Sequence, residues 1–270
     1  MTLGDTLGHA RTLLFVPADR PERFAKATAS AADGIILDLE DAVGAEHKST
    51  ARQHVAEYLR AGNSAVVRIN APGTPWHDDD VAMIRRHTCG VMTPKAEDPE
   101  ILAELHRASP HHPLIPLLET ATGLLDAREL CRVDGVVRPA FGNVDLAAEL
   151  GVDPADQQAL RHARSSLVLA AKSVEVAAPL DGVTTAVRDD TALARDAEHA
   201  ASLGFTGKLC IHPGQVAQAT TAFTPSPDLV RWARKLLRDS NDGAATLVDG
   251  QMVDTPVLER ARAVLARAGA

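Results

Sequence analysis

Aromatic side chains supply only 3% of this 270-residue chain, so its core has to be filled by Ala, Leu and Val. Positive charge is short as well: 28 Lys and Arg stand against 36 Asp and Glu, a formal net charge of -8. A general nucleic-acid surface needs a basic face that neutralises phosphates, and this balance argues against one. A local basic patch for a phosphorylated cofactor stays open. The three cysteines, Cys89, Cys131 and Cys210, have no paired spacing. That excludes a disulfide scaffold or zinc framework and points to a reducing compartment. No apolar run approaches a membrane span, and residues 1–11 lack the apolar segment of a signal peptide. The expectation is a cytoplasmic protein with neither membrane nor nucleic acid as partner.

What is present is a repeating order. A hydrophobic share of 45% is enough for a sizeable core. Short apolar runs at 12–16, 34–38, 65–69, 90–93, 114–118, 136–140, 180–184 and 205–211 alternate with longer amphipathic segments. The run at 180–184 carries the weakest pattern of the eight. Being apolar throughout, the runs suit parallel strands buried on both faces. No GxGxxG follows any of them, which disfavours a doubly wound open sheet. The fold expected over residues 1–223 is a (β/α)8 TIM barrel. Residues 224–270 read as a C-terminal helical tail with helices near 228–237 and 256–267 and turn signals at Asp242-Gly243 and Asp249-Gly250. With little core of its own, this tail is expected to pack on its own barrel or on a neighbour.

In such a barrel the reactive face lies at the carboxyl ends of the strands. There the chain is dense in charge: Asp38, Glu40 and Asp41 after the second run, Arg68 and Asn70 at the third, Lys95 after the fourth, and Glu119 and Asp145 after the fifth and sixth. A lone acid after a strand is ordinarily a helix cap or a solvated loop charge. Charges after so many strands converge on one face. The pair Glu119 and Asp145 suits a hard divalent cation such as Mg2+, with water and substrate oxygens completing its shell. Arg68, inside an apolar strand, needs a partner. That partner is either a carboxylate, Glu40 or Asp41, or an anionic substrate oxygen. His212 has no other His or Cys at ligand spacing and reads as a loop histidine. Ser165 and Ser166 fall mid-helix without a nucleophile's context. Asp254, just before Thr255-Pro256, reads first as a helix-start residue and second as a carboxylate that the tail brings to the site.

These segments together resemble the citrate lyase beta subunit-like family. The resemblance is carried by Leu14–Arg23, Ile36–Val43, Val67–Asn70, Thr93–Lys95, Leu118–Ala121, Phe141–Leu146, Gly204–Pro213 and Asp249–Pro256, in order along nearly the whole chain. It implies a Mg2+-dependent carbon–carbon lyase or synthase acting on an acyl-CoA thioester, such as malyl-, citramalyl- or hydroxymethylglutaryl-CoA. It also implies a homo-oligomer, commonly a trimer. By resemblance Glu119 and Asp145 hold the metal, Arg68 and Glu119 meet the substrate, and Glu40 supports the site. Asp254 matches the tail carboxylate that completes a neighbour's active site and serves as the base in the condensing direction. The match to short, stand-alone mycobacterial members favours a free enzyme over a subunit that needs an acyl carrier partner. A metal-dependent aldolase acting on free 2-oxo acids is the other reading. Lys95 and Arg20 are candidate CoA contacts. Ala18 stands where many members have glycine, and Leu180–Val187 departs from the usual seventh-strand pattern, so both bear on the CoA or acyl pocket.

Overall fold

Side-chain alternation along eight short strands sets the architecture, because successive residues of a strand point to opposite faces. The structure, a computed structural model, describes residues 2–239, 246–248 and 251–269. The strands are β1 (Thr12–Pro17), β2 (Gly34–Asp38), β3 (Val66–Arg68), β4 (Gly90–Thr93), β5 (Leu114–Leu118), β6 (Ala140–Phe141), β7 (Leu180–Asp181) and β8 (Gly207–Cys210). Each pairs in parallel with the next, and β8 returns to β1, which closes the barrel. This is the expected (β/α)8 fold.

Two cores follow from the alternation. Leu13, Ile36, Val66, Met92, Leu117 and Leu209 fill the interior together with Leu7 of the helix Leu3–His9. Their neighbours Leu14, Leu37, Val67, Val91, Leu118 and Cys210 face the surrounding helices and form the larger outer core. Burying a large aliphatic side chain in this way contributes roughly 1.5–3 kcal/mol. Aliphatic packing on two faces therefore replaces the missing aromatics.

Several boundaries depart from the sequence reading. The sixth strand is Ala140–Phe141 rather than 136–140, and Val136 makes only an isolated bridge to Leu114. Pro139 has no N–H to give to a ladder. The adjacent Arg138 is fully buried and donates to the carbonyls of Leu7, Ala10 and Ala178 instead of packing as a strand residue. The seventh strand is shortened to Leu180–Asp181, since Gly182 and Val183 bond elsewhere. A helix, Asn143–Leu150, starts directly after β6, ahead of the expected long one, which runs Arg161–Ser173. That long helix holds Ser165 and Ser166 as ordinary helix residues.

The chain divides into two compact units, Met1–Phe223 and Thr224–Ala270. In the second, helices Pro227–Asp239 and Thr255–Ala268 pack through a cluster of Ala233, Leu236, Val253, Leu258, Ala261 and Val264. The tail thus has a core of its own, contrary to expectation, because both helices offer an apolar face to each other. Between them β9 (Thr246–Val248) and β10 (Gln251–Val253) pair antiparallel. The turn signals at 242–243 and 249–250 lie outside the described residues. No helix among the described residues is long and apolar enough to cross a membrane.

Candidate active site at the barrel mouth

The parity that sends Leu13, Ile36, Val66 and Leu117 inward also decides what stands at the mouth. Two residues further along each strand come Phe15, Asp38, Arg68 and Glu119, and all four line one cavity of about 380 Å³. Asn143 and Asp145 close one side, and Val144, Val183, Leu209 and Ile211 add an apolar wall.

Arg68 is 8% exposed and forks onto Asp38, with Nε donating to Oδ1 at 2.7 Å and Nη2 to Oδ2 at 2.6 Å. Its Nη1 lies 2.9 Å from Glu40 Oε2, and its guanidinium sits 4.8 Å from the Phe15 ring centre. Of the two carboxylates expected as partner, Glu40 pairs closely and Asp41 stands off at 3.6 Å, but the principal partner is Asp38. Sequence reasoning missed it because a strand-end Asp next to two other acids carries no mark of its own. Burial works against the Arg68 cation, yet Asp38, Glu40 and Asp41 more than offset it, so its pKa is raised above the ordinary arginine value. Asp38 takes two of the five guanidinium N–H groups in hydrogen bonds, and Nη1 is ion-paired with Glu40, so N–H donors remain for a substrate oxygen.

The loop behind Glu40 is fixed from below. The buried Lys48 ammonium donates to the carbonyls of Leu39 and Glu40, both at 2.7 Å, and to Asn70 Oδ1 at 2.6 Å. Asn70 in turn donates to Asp80 through its backbone N–H and its side-chain amide. Lys48 lies on a helix and carries no sequence sign of this role.

Lys95 gathers the remaining acids. Its ammonium is 3.1 Å from Glu40 Oε1, 3.0 Å from Asp145 Oδ2 and 3.9 Å from Glu119 Oε1. Its backbone N–H donates to Glu119 Oε1 at 2.8 Å. The residue has a positive φ of 46°, a left-handed conformation that costs a non-glycine residue roughly 1–2 kcal/mol. Burial opposes the charged ammonium, but Glu40, Asp145 and Glu119 outweigh it and raise the pKa above the ordinary lysine value. Glu119 is 4% exposed, and burial beside Glu40 and Asp145 pushes its carboxyl up to about 8.

Five carboxylates at this mouth therefore meet the two cations that touch them, Arg68 and Lys95. Such an excess of hard oxygen donors fits a divalent cation. Among the described residues no three His, Cys, Asp or Glu side chains form a metal-binding group by themselves. A cation here would complete its shell with water or substrate oxygens, as Mg2+ commonly does.

Close packing explains the Phe141-Gly142-Asn143 segment. A Cβ on Gly142 would lie 2.3 Å from Glu119 Cβ, so only glycine lets the end of β6 lie against that side chain. Asp145 then falls in the first turn of Asn143–Leu150, where a carboxylate also suits the helix dipole. Further back, Asp181 is fully buried between Arg164 Nε and Lys208 Nζ, each at 2.9 Å. Burial would raise its pKa, but the two cations win and lower it.

The other sequence candidates fall outside this cluster. His212 accepts the Gly214 N–H on Nδ1 at 3.0 Å, as a loop histidine beside a helix start. Ala18 is buried in the outer core and does not line the cavity, whereas Val183 of the divergent seventh segment does. Arg20 is largely exposed and lies beside Asp19. Asp254 belongs to the second unit, where it caps helix Thr255–Ala268 by accepting the Val257 N–H at 3.3 Å.

Comparison with known proteins gives a consistent set. Residues 11–213 match the model of the HpcH/HpaI aldolase/citrate lyase family. A citrate lyase subunit beta-like protein of Mycobacterium tuberculosis (strain ATCC 25618 / H37Rv) is 41% identical over 264 residues, covering 95% of this chain and 94% of the relative. A (3S)-malyl-CoA thioesterase of Cereibacter sphaeroides (strain KD131 / KCTC 12085) is 31% identical over 96% of this chain and 95% of its own length. The mitochondrial citramalyl-CoA lyase of Rattus norvegicus is 31% identical over 94% of this chain and 85% of its own length. Among solved structures, CitE from Mycobacterium tuberculosis in complex with magnesium, acetoacetate and coenzyme A superposes with a TM-score of 0.84 at 39% identity, covering 96% of this chain and 98% of that one.

Proposed function

The chain belongs to the HpcH/HpaI aldolase/citrate lyase family, and we propose that it is a Mg2+-dependent carbon–carbon lyase that cleaves a 3-hydroxyacyl-CoA thioester. One observation carries this reading: Glu119, Asp145 and a paired, buried Arg68 line a single cavity at the carboxyl ends of the strands. A malyl-, citramalyl- or hydroxymethylglutaryl-CoA is the class of substrate we assign. Support comes from the lyase and thioesterase activities named for the relatives and from the magnesium and coenzyme A bound to the solved neighbour.

Glu119 and Asp145 are the residues that would hold Mg2+. When bound, the cation would supply Lewis-acid stabilisation to the substrate's carboxylate and hydroxyl oxygens. Arg68 offers N–H donors not taken by Asp38 to the thioester oxygen, where negative charge collects as the bond between C2 and C3 breaks. That bond's electrons go to C2, C3 becomes the carbonyl of the released 2-oxo acid or related product, and the hydroxyl proton leaves to a carboxylate of the mouth. Protonation of C2 then gives acetyl- or propionyl-CoA. In the condensing direction Asp254 takes the corresponding proton. Glu40 holds Arg68 and Lys95 in place through its two oxygens. We place the enzyme in the cytoplasm as a homo-oligomer, a trimer, with the tail of one chain serving its own or a neighbouring barrel.

The test is incubation of the purified protein with Mg2+ and a panel of 3-hydroxyacyl-CoA thioesters and their free acids, with products separated chromatographically. Release of acetyl- or propionyl-CoA from one thioester, abolished by chelation and in Asp145→Ala, supports the reading. Cleavage of the free acid would move it to an aldolase on 2-oxo acids. Release of free CoA with the acyl chain intact would make it a thioesterase, the activity named for the Cereibacter relative. Turnover only with an added acyl carrier partner would make it a complex subunit.

A further inference from the structure

We infer that Lys95 is a positioning residue that restricts Glu119 and Asp145 to one ligating oxygen each and so tunes the site to a small octahedral cation. The inference rests on the reading of that pair as the metal carboxylates.

The geometry is specific to individual oxygens. Glu119 Oε1 is held by the Lys95 backbone N–H at 2.8 Å. Asp145 Oδ2 and Glu40 Oε1 are held by Lys95 Nζ at 3.0 Å and 3.1 Å. One residue thus occupies one oxygen on each of three carboxylates. A cation is left with the other oxygen of the pair, Glu119 Oε2 and Asp145 Oδ1. Glu119 Oε2 is turned toward the cavity-lining Gly142, where a Cβ would come within 2.6 Å of it. The left-handed backbone of Lys95 (φ 46°) aims the N–H at Glu119 while the side chain reaches across to Asp145. A lysine keeps that conformation only where its surroundings over-determine it, and such residues gather at functional sites.

The consequence concerns which metal fits. Ca2+ takes six to eight oxygens and readily accepts both oxygens of a carboxylate, at about 2.3–2.6 Å. Mg2+ demands near-octahedral geometry at about 2.0–2.1 Å and uses single carboxylate oxygens with water and substrate filling the rest. Releasing Asp145 Oδ2 by removing the ammonium would permit two-oxygen ligation and widen the site toward Ca2+.

The experiment is calorimetric titration of the full-length protein with Mg2+ and with Ca2+, reading affinity and not turnover. Lys95→Met removes the ammonium, and Lys95→Gly removes it while keeping the N–H to Glu119 and relieving the positive φ. Circular dichroism confirms folding of each, and the glycine variant keeps the test valid if the methionine variant is unstable. We expect Mg2+ affinity to fall about tenfold in both variants and the Ca2+-to-Mg2+ preference to rise at least tenfold. Unchanged preference, or tighter Mg2+ binding in the variants, overturns the inference, the latter by making the ammonium a competitor of the metal. Glu119→Gln and Asp145→Asn separate the two levels of the argument. If they bind Mg2+ like the unaltered protein, the assignment of the pair fails and the inference with it. If they lose binding while Lys95→Met does not, only the role of Lys95 falls.

Discussion

Asn143 joins Val183 as though β6 and β7 continued past their last paired residues. Its Nδ2 donates to the Val183 carbonyl at 3.1 Å, and its Oδ1 accepts the Val183 N–H at 2.9 Å. The amide sits directly over Gly182, whose Cβ would fall 2.0 Å from Oδ1. This clamp anchors the first residue of the helix that carries Asp145. Asn143→Ala leaves two backbone groups unpaired at a cost of about 1–3 kcal/mol. The expected result is a lower unfolding midpoint together with a several-fold higher Mg2+ requirement. A variant that melts early but binds Mg2+ normally would show the clamp to be structural only.

Arg68 cannot be exchanged for the other cation. A lysine ammonium is a point charge that does not match the two Asp38 oxygens held by Nε and Nη2. Arg68→Lys is expected to lower kcat/KM by about 100-fold or more, the scale of losing a preorganised donor. Arg68→Ala should also destabilise the fold by about 3–5 kcal/mol, since Asp38 and Glu40 lose their buried cation. Steady-state kinetics and denaturant melts read the two effects separately, and near-normal kcat/KM in the lysine variant would refute the substrate contact.

The Glu119 carboxyl is raised to about 8 from its usual 4.5 by burial, Glu40 and Asp145, so with Glu119 as the proposed ligand, metal binding and stability are predicted to depend on pH in opposite ways. Folding favours the protonated acid, so this contribution to stability is fully present below 4.5 and is lost as pH rises through about 8. The metal needs the carboxylate, so Mg2+ binding at neutral pH should release close to one proton and tighten as pH approaches about 8. Calorimetry in buffers of different ionisation enthalpy counts that proton. No release at neutral pH would mean the acid is already ionised.

Asp181 between Arg164 and Lys208 predicts an acid-sensitive fold. A lowered carboxyl pKa contributes stability above its ordinary value of 3.8, and that contribution disappears as pH falls through the folded value. Asp181→Asn leaves two buried cations uncompensated and should cost about 3–5 kcal/mol at neutral pH. Urea titration measures it, and a loss below about 1 kcal/mol would show that water reaches the pair.

Asp254 has an observed role as a helix cap and a proposed one as the base, and two substitutions separate them. Asparagine is as good an N-cap as aspartate, whereas alanine costs about 1 kcal/mol. Asp254→Asn should therefore keep the melting temperature and lose turnover, while Asp254→Ala loses both. If the tail of one chain serves another barrel, mixing Asp254→Asn with Asp145→Ala protein restores part of the activity. Full activity in Asp254→Asn would reduce the residue to the cap that accepts the Val257 N–H.

How much of this was legible varies by residue, for physical reasons. Leu13 and Leu14, or Val66 and Val67, read from sequence only as apolar pairs, yet a strand alternates, so one of each pair must face the barrel interior. The same alternation brought Arg68 and Glu119 to the mouth. By contrast, Arg138 reads as a strand residue and is instead a buried donor to the carbonyls of Leu7, Ala10 and Ala178. The core of the second unit was equally hidden, because it forms between two helices 227–239 and 255–268 that look solvent-facing when taken singly.

The sequence by itself determined the count of β/α units, the closed parallel barrel and the rim on which the acids stand. Those depend on burial patterns that recur within each short segment. Tertiary structure alone decided that Asp38 is the main partner of Arg68, 30 residues away, and that Lys95 bridges to Asp145, 50 residues away. Both contacts exist only because barrel closure brings strand ends together at distances that hydrogen bonds can span, and no periodicity in the chain encodes which of several nearby acids a given cation will reach.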